Sequence, residues 1–220
     1  MKRKLRHVVT LLGVVMTLGL AAPAHANLLA NGSFESGFKD TGSPGVCSDS
    51  VSGWTASSLG ACGGIDWISS SLWAAQSGSF SIDLNSFNTG AIAQSFSTAV
   101  GGLYEVSFYL AGNPGQQNVK TMDVLVDNVD LAAGTPDFSF NNAGTSGSNM
   151  GWTLQTFSFI AGNATTSLQF KSLVTGAAGP ALDNISVVAI PEPETYAMLL
   201  AGLCLVGFVA RRGKRAGIAA

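Results

Sequence analysis

Carboxylates dominate the chemistry open to this 220-residue chain. Between Asn27 and Ile190 stand eleven of them: Glu35, Asp40, Asp49, Asp66, Asp83, Glu105, Asp123, Asp127, Asp130, Asp137 and Asp183. The same stretch holds three lysines, Lys39, Lys120 and Lys171, which leaves it with a net charge of −8. Asp183 shares strand parity with Ile185 and Val187, which predicts an inward side chain. A buried carboxylate is costly unless something pairs with it. With so few cations in the chain, a hard ion is one partner, and Ca²⁺ takes carboxylate and carbonyl oxygens. Glu35 is the expected second ligand, because the terminal strands of a sandwich lie side by side. Backbone N–H groups or a lysine are the alternative partners for Asp183.

Aromatic rings are the second resource. Trp67 and Trp73 sit in a loop-rich region beside Asp66 and Gln76. Indole faces stack on pyranose rings while carboxylates and amides bind hydroxyls, so these four residues form the predicted polysaccharide-binding set. Core packing is the competing role, and it is favoured for Trp54 and Trp152.

Other chemistries drop out. Both histidines, His7 and His25, precede Asn27, and no arginine stands between Arg6 and Arg211. The domain therefore lacks a histidine-based triad, histidine metal ligands and an arginine clamp. An acidic domain without a basic patch does not suit nucleic acid. A glycosidase needs two carboxylates at a set separation. Eleven acids supply pairs on paper, but no assembled constellation stands out, and the expected role is non-enzymatic. Cys47 and Cys62 are expected to form a disulfide, worth roughly 3 kcal/mol for a loop of about 15 residues. A reactive thiol is the alternative. Cys204 lies in the apolar tail.

These residues need an exported scaffold. Lys2, Arg3, Lys4 and Arg6 precede an apolar run from Val8 to Ala22, and Ala24-His25-Ala26 follows. That order predicts a signal peptide over residues 1–26. At the other end Pro191-Glu192-Pro193 precedes sixteen uncharged residues from Thr195 to Ala210 and then a basic cluster, Arg211, Arg212, Lys214 and Arg215. Residues 195–210 are predicted to form a transmembrane helix with its basic end in the cytoplasm. At 1.5 Å per residue it would cover about 24 Å of a roughly 30 Å core, with snorkelling arginines taking up the difference.

Residues 27–190 read as β throughout. Phe80–Leu84 and Tyr104–Leu110 alternate apolar with polar, Met122, Val124 and Val126 form the buried face of another strand, Ala91–Phe96 and Asp137–Phe140 are further candidates, and Leu168 with Phe170 and Ile185 with Val187 complete the set. Asp123 and Asp127 fall on the face opposite Met122, Val124 and Val126, so both are expected in solvent. Trp152 with Leu154 and Phe157 with Phe159 are out of phase, which predicts a bulge near Gln155 or Thr156. About ten such strands suggest an all-β, two-sheet jelly-roll sandwich.

The tail resembles the PEP-CTERM sorting signal of Gram-negative bacteria that make extracellular polysaccharide. Pro191-Glu192-Pro193, the apolar span and the arginine-rich stop, residues 191–215, carry the likeness. It implies an exosortase as processing partner, cleavage near Pro191–Pro193, and an export route by way of the inner membrane to the cell envelope or extracellular matrix. The domain resembles the "choice-of-anchor C" exported proteins through Asn31-Gly32-Ser33-Phe34-Glu35, Gln76-Ser77-Gly78-Ser79-Phe80, Leu110-Ala111-Gly112-Asn113-Pro114 and Gly179-Pro180-Ala181-Leu182-Asp183-Asn184-Ile185. That likeness implies a galactose-binding-like jelly roll. Carbohydrate-binding jelly rolls with a similar opening and a late aspartate hold a structural Ca²⁺. The expected function is that of an exported, non-enzymatic envelope or matrix protein. A carbohydrate-binding module for exopolysaccharide or cell-wall glycan is the alternative.

Overall fold

Short alternating runs bounded by Gly, Asn and Pro turns pair into two antiparallel sheets. A computed structural model describes residues 26–36, 50–58, 64–191 and 198–208. Its strands are β1 (Ser50–Val51), β2 (Trp54–Ser58), β3 (Asp66–Ser69), β4 (Phe80–Asp83), β5 (Gly90–Ser97) and β6 (Leu103–Gly112). They continue with β7 (Val119–Val126), β8 (Val129–Asp130), β9 (Phe138–Asn141), β10 (Thr153–Ile160), β11 (Thr165–Ser172) and β12 (Pro180–Ile190). One sheet runs β1-β2-β5-β11-β7-β8, with β9 also on β7; the other runs β10-β6-β12-β4-β3.

The inner faces close over Ile82, Ile92, Val106, Phe108, Leu110, Met122, Val124, Leu168, Phe170, Leu182 and Val187, all fully buried. Phe108 meets Phe138 and Phe170 edge-on at 5.0 and 5.1 Å. Such tilted pairs place a ring edge on a neighbour's π face. Asn27 ties the start of the domain to its last strand, donating to the Ile185 carbonyl and accepting from the Val187 N–H.

The bulge falls elsewhere than expected. β10 pairs with β6 in unbroken register from Thr153↔Leu110 to Ile160↔Leu103. Trp152 lies before the strand and Leu154 points out, 55% exposed, so the apparent phase conflict needs no extra residue. The register shift occurs instead in β12, between Asp183 and Ser186, with Asn184 at φ +53°. This overturns the parity assigned to Asp183. The bulge turns it to the outer face of its sheet, opposite Leu182.

The tail also departs from expectation. Residues 198–208 form a helix, which at 1.5 Å per residue covers about 16 Å. Among the described residues no helix is long and apolar enough to cross a membrane, so the transmembrane helix over residues 195–210 is not found. Cys204, on that helix, is a free, exposed thiol. The signal peptide, Cys47, Cys62, Glu192 and Pro193 lie outside the described residues.

Candidate functional site

The sandwich has two outer faces, and they differ in kind. Along β4 and β12 the residues turned away from the core are Ser81, Asp83 and Asp183, each fully buried. The segment between β3 and β4 lies across Ser81 and Asp183. Trp73 Nε1 donates to Ser81 Oγ at 2.8 Å. The N–H groups of Gln76 and Ser77 donate to Asp183 Oδ2 at 2.9 and 3.1 Å, and Asn184 N–H donates to Oδ1 at 2.7 Å. Glu35 Oε1 accepts the N–H groups of Ser79 and Phe80 at 2.9 and 2.8 Å. Two carboxylates thus hold one loop by its backbone. Trp152 fastens the same loop, donating from Nε1 to the Ala74 carbonyl at 2.9 Å.

Burial pushes Asp183 up to about 7 against the help of its three N–H donors, and the nearby Glu35 charge adds to the rise. Asp83 is pushed up to about 7, chiefly by burial, and the Asp66 charge adds to the rise. It accepts from Asn85 N–H, Gly179 N–H and Asn113 Nδ2 at 2.9, 3.0 and 2.7 Å. Lys120 is fully buried nearby and gives Nζ to the carbonyls of Gly115 and Ala178, both at 2.8 Å. Loss of water lowers its pKa.

The outer face of the larger sheet is open. Strand alternation puts Phe170 inward and Gln169 and Lys171 outward on β11, and Val124 inward and Asp123 and Leu125 outward on β7. Lys171 stands directly opposite Asp123. A cleft of about 340 Å³ is lined by Ser57, Thr89, Leu125, Gln169, Lys171 and Ser172 among others. Beside it a smaller hollow of about 110 Å³ is lined by Asp123, Thr135, Pro136 and Leu173.

Asp123, Asp130 and Asp137 gather at that hollow, with one oxygen from each within 4.8 Å of the others. This acidic group is spaced so that it could hold a metal ion. Partial burial and the Asp130 charge raise Asp123, which Lys171 partly offsets. Burial likewise raises Asp137, although it accepts the Val124 N–H at 2.6 Å.

The residues singled out from sequence are thereby dispersed. Glu35 and Asp183 are near enough to feel each other's charge, and the bonds made by both are to backbone N–H groups, the alternative partners weighed for Asp183. Trp73 is 6% exposed, so its ring is packing rather than platform. Trp67 is half-buried, with one face on Phe80 at 3.7 Å and Nε1 donating to the Phe34 carbonyl. Gln76 contributes its N–H to Asp183 and its side-chain oxygen to Asn184. Asp66 stands directly opposite Asp83. Asp127, expected in solvent, receives Ser167 N–H and Asn163 Nδ2 instead. Sequence reasoning missed Gln169, Lys171 and Ser57. The alternation that placed Leu168 and Phe170 inward could have found the first two; nothing in the local sequence marks Ser57.

Residues 27–188 match the family "Protein of unknown function (DUF642)", and the chain belongs to that family. Residues 189–215 match the PEP-CTERM protein-sorting motif. Halomucin of Haloquadratum walsbyi is 30% identical over 194 residues, 84% of this chain and 2% of that protein. The chain therefore spans only a small fraction of that relative. Among solved structures, a family 61 carbohydrate-binding module with β-1,4-galactotriose aligns at 15% identity, TM-score 0.49, covering 75% of this chain and 99% of that one. A xylan-binding family 22 module from Paenibacillus barcinonensis aligns at 20% identity, TM-score 0.48, covering 78% and 99%. At these scores nothing about ligands transfers from either.

Proposed function

We propose that this chain is an exported, non-enzymatic matrix protein, delivered as an exosortase substrate, whose larger sheet binds a neutral polysaccharide on its outer face. The carrying observation is the open cleft of about 340 Å³ over β2, β5, β7 and β11. Its hydroxyl, amide and ammonium groups suit sugar hydroxyls, and Leu125 offers an apolar patch for a ring face. A net charge of −8 over residues 27–190 disfavours a polyanion.

Position supports the reading. The cleft includes Thr89, Gly90 and Ser172, where β5 begins and β11 ends. β12 begins at that end, with Pro180 beside Gly112, and runs to Ile190 beside Leu103 at the other. The sorting motif follows Ile190, so a chain held by its tail presents the cleft outward.

Affinity electrophoresis of the full chain in gels cast with neutral glucans, galactans or xylans tests this. Retardation by one glycan, lost in Lys171→Ala and Gln169→Ala but kept in folded Trp67→Ala, is the expected result. Retardation lost only in Trp67→Ala would return the ligand to the predicted set of Trp67, Trp73, Asp66 and Gln76. No retardation by any glycan would leave a purely structural matrix protein.

A further inference from the structure

Among the described residues, β10 is the longest free edge of the sandwich. β6 pairs with one side of it from Thr153 to Ile160, and no described strand pairs with the other. Just past its end, Ala161 donates its N–H to the Gly102 carbonyl on the β6 side. Backbone groups of an antiparallel strand turn toward and away from a partner at alternate residues. Leu154, Thr156, Ser158 and Ile160 therefore send their N–H and C=O groups away from β6. The same four side chains stand on the outer face, and all are exposed, Leu154 at 55% and Ile160 at 70%.

The other edges are short or charged. β1 and β8 have two residues each and β3 and β9 four, and β3 and β8 carry Asp66 and Asp130. Shortness, charge, proline and bulges are the devices that keep sheet edges from pairing with other chains. β10 has none of them. Its eight residues, Thr-Leu-Gln-Thr-Phe-Ser-Phe-Ile, hold no charge and no proline, and their register is unbroken. In so acidic a domain, this edge is where a second copy approaches without meeting like charge. The Glu105 carboxylates, on β6 beside Ser158, would stay roughly three strand spacings apart, about 14 Å, past the screening length of about 8 Å.

The strand also complements itself when reversed. With Phe157 on a two-fold axis, Leu154 falls opposite the partner subunit's Ile160, and Thr156 opposite the partner subunit's Ser158. Apolar meets apolar and hydroxyl meets hydroxyl. All four such pairs turn their backbone groups outward and would supply about eight hydrogen bonds between copies. Phe157 is half-buried, 6.2 Å from Phe138, and would meet its own counterpart at the axis. A slip of two residues sets Leu154 against Ser158 or Ile160 against Thr156, and a slip of one exchanges the faces.

We propose that a second copy of this chain adds to β10, antiparallel about a two-fold axis at Phe157, and joins two five-stranded sheets into one. The open cleft lies on the other sheet, outside this contact.

Sedimentation velocity of the full chain carrying Cys204→Ala, in a mild detergent that masks the apolar tail, tests this. A concentration-dependent monomer–dimer equilibrium is expected. Thr156→Lys combined with Ser158→Lys, both at exposed positions, sets lysine against lysine twice and should raise the dissociation constant roughly 10-fold or more. Oxidation should cross-link a Leu154→Cys chain to an Ile160→Cys chain. Two Leu154→Cys chains should not cross-link, because antiparallel pairing keeps those positions about 20 Å apart. Circular dichroism checks the fold, and the cross-linking decides alone if the double lysine variant does not fold. A chain that stays monomeric up to its solubility limit would overturn the proposal. So would a dimer that the two lysines leave intact, which would put the contact elsewhere, or a cross-link formed only between two Leu154→Cys chains, the mark of parallel pairing.

Discussion

The two outer faces of the sandwich were built from the same kind of strand and ended in opposite states. On the smaller sheet, Ser81 and Asp183 are covered by the β3–β4 segment, Asp83 is buried beside Gly179 and Asn113, and N–H donors hold both aspartates. On the larger sheet, Gln169 and Lys171 face an open cleft, and Asp123 lines the hollow beside it. The covered face uses polar groups to fix loops. The open face leaves its polar groups uncovered.

Removing a sealed carboxylate should have the largest effect. Asp83→Ala strands two backbone N–H groups and the Asn113 amide, and a urea melt should show a loss of about 3 kcal/mol. A loss under about 0.5 kcal/mol, as for an ordinary surface site, would erase the distinction between the faces.

Next comes pH. Burial raises Asp83 and Asp183 from 3.8 to about 7. A group whose folded pKa is raised contributes stability that is fully present below the unfolded value and lost as pH rises through the folded value. In EDTA the chain should therefore melt higher at pH 5 than at pH 8, by roughly 5 °C or more for a domain of this size. Asp183→Asn should flatten that slope more than Asp130→Asn on the open face does. Equal slopes in the two variants would count against the comparison.

A smaller effect is expected at the loop clamp. Ser81→Ala removes the acceptor of the Trp73 N–H, which should cost about 1 kcal/mol in the same urea melt. Lys171→Ala should change stability least, within about 0.5 kcal/mol, while abolishing glycan retardation. A Lys171→Ala chain that unfolds early would show that the open face is structural after all.

Much of the scaffold could be read from residue order. Alternation found the strands around Phe80, Tyr104 and Met122, because a half-buried strand must sort its side chains with period two. Out-of-phase Trp152 and Phe157 misled, since strand ends are not marked by periodicity and Trp152 lies just before β10. The site was less legible. Trp67 and Trp73 looked like ligand platforms because tryptophan serves both cores and sugars, and only the neighbours across space decide which.

By itself the sequence determined the charge pattern, the absence of histidine and arginine from the domain, the sorting motif, and which residues share a strand face. Those properties depend on residue type and near spacing alone. The tertiary structure decided which face was covered. The donors to Asp183 from Gln76 and Ser77 come from 107 and 106 residues away, and the bulge at Asn184 reverses the parity that local order implied. Alternation defines two faces, but burial of either depends on a distant segment folding over it.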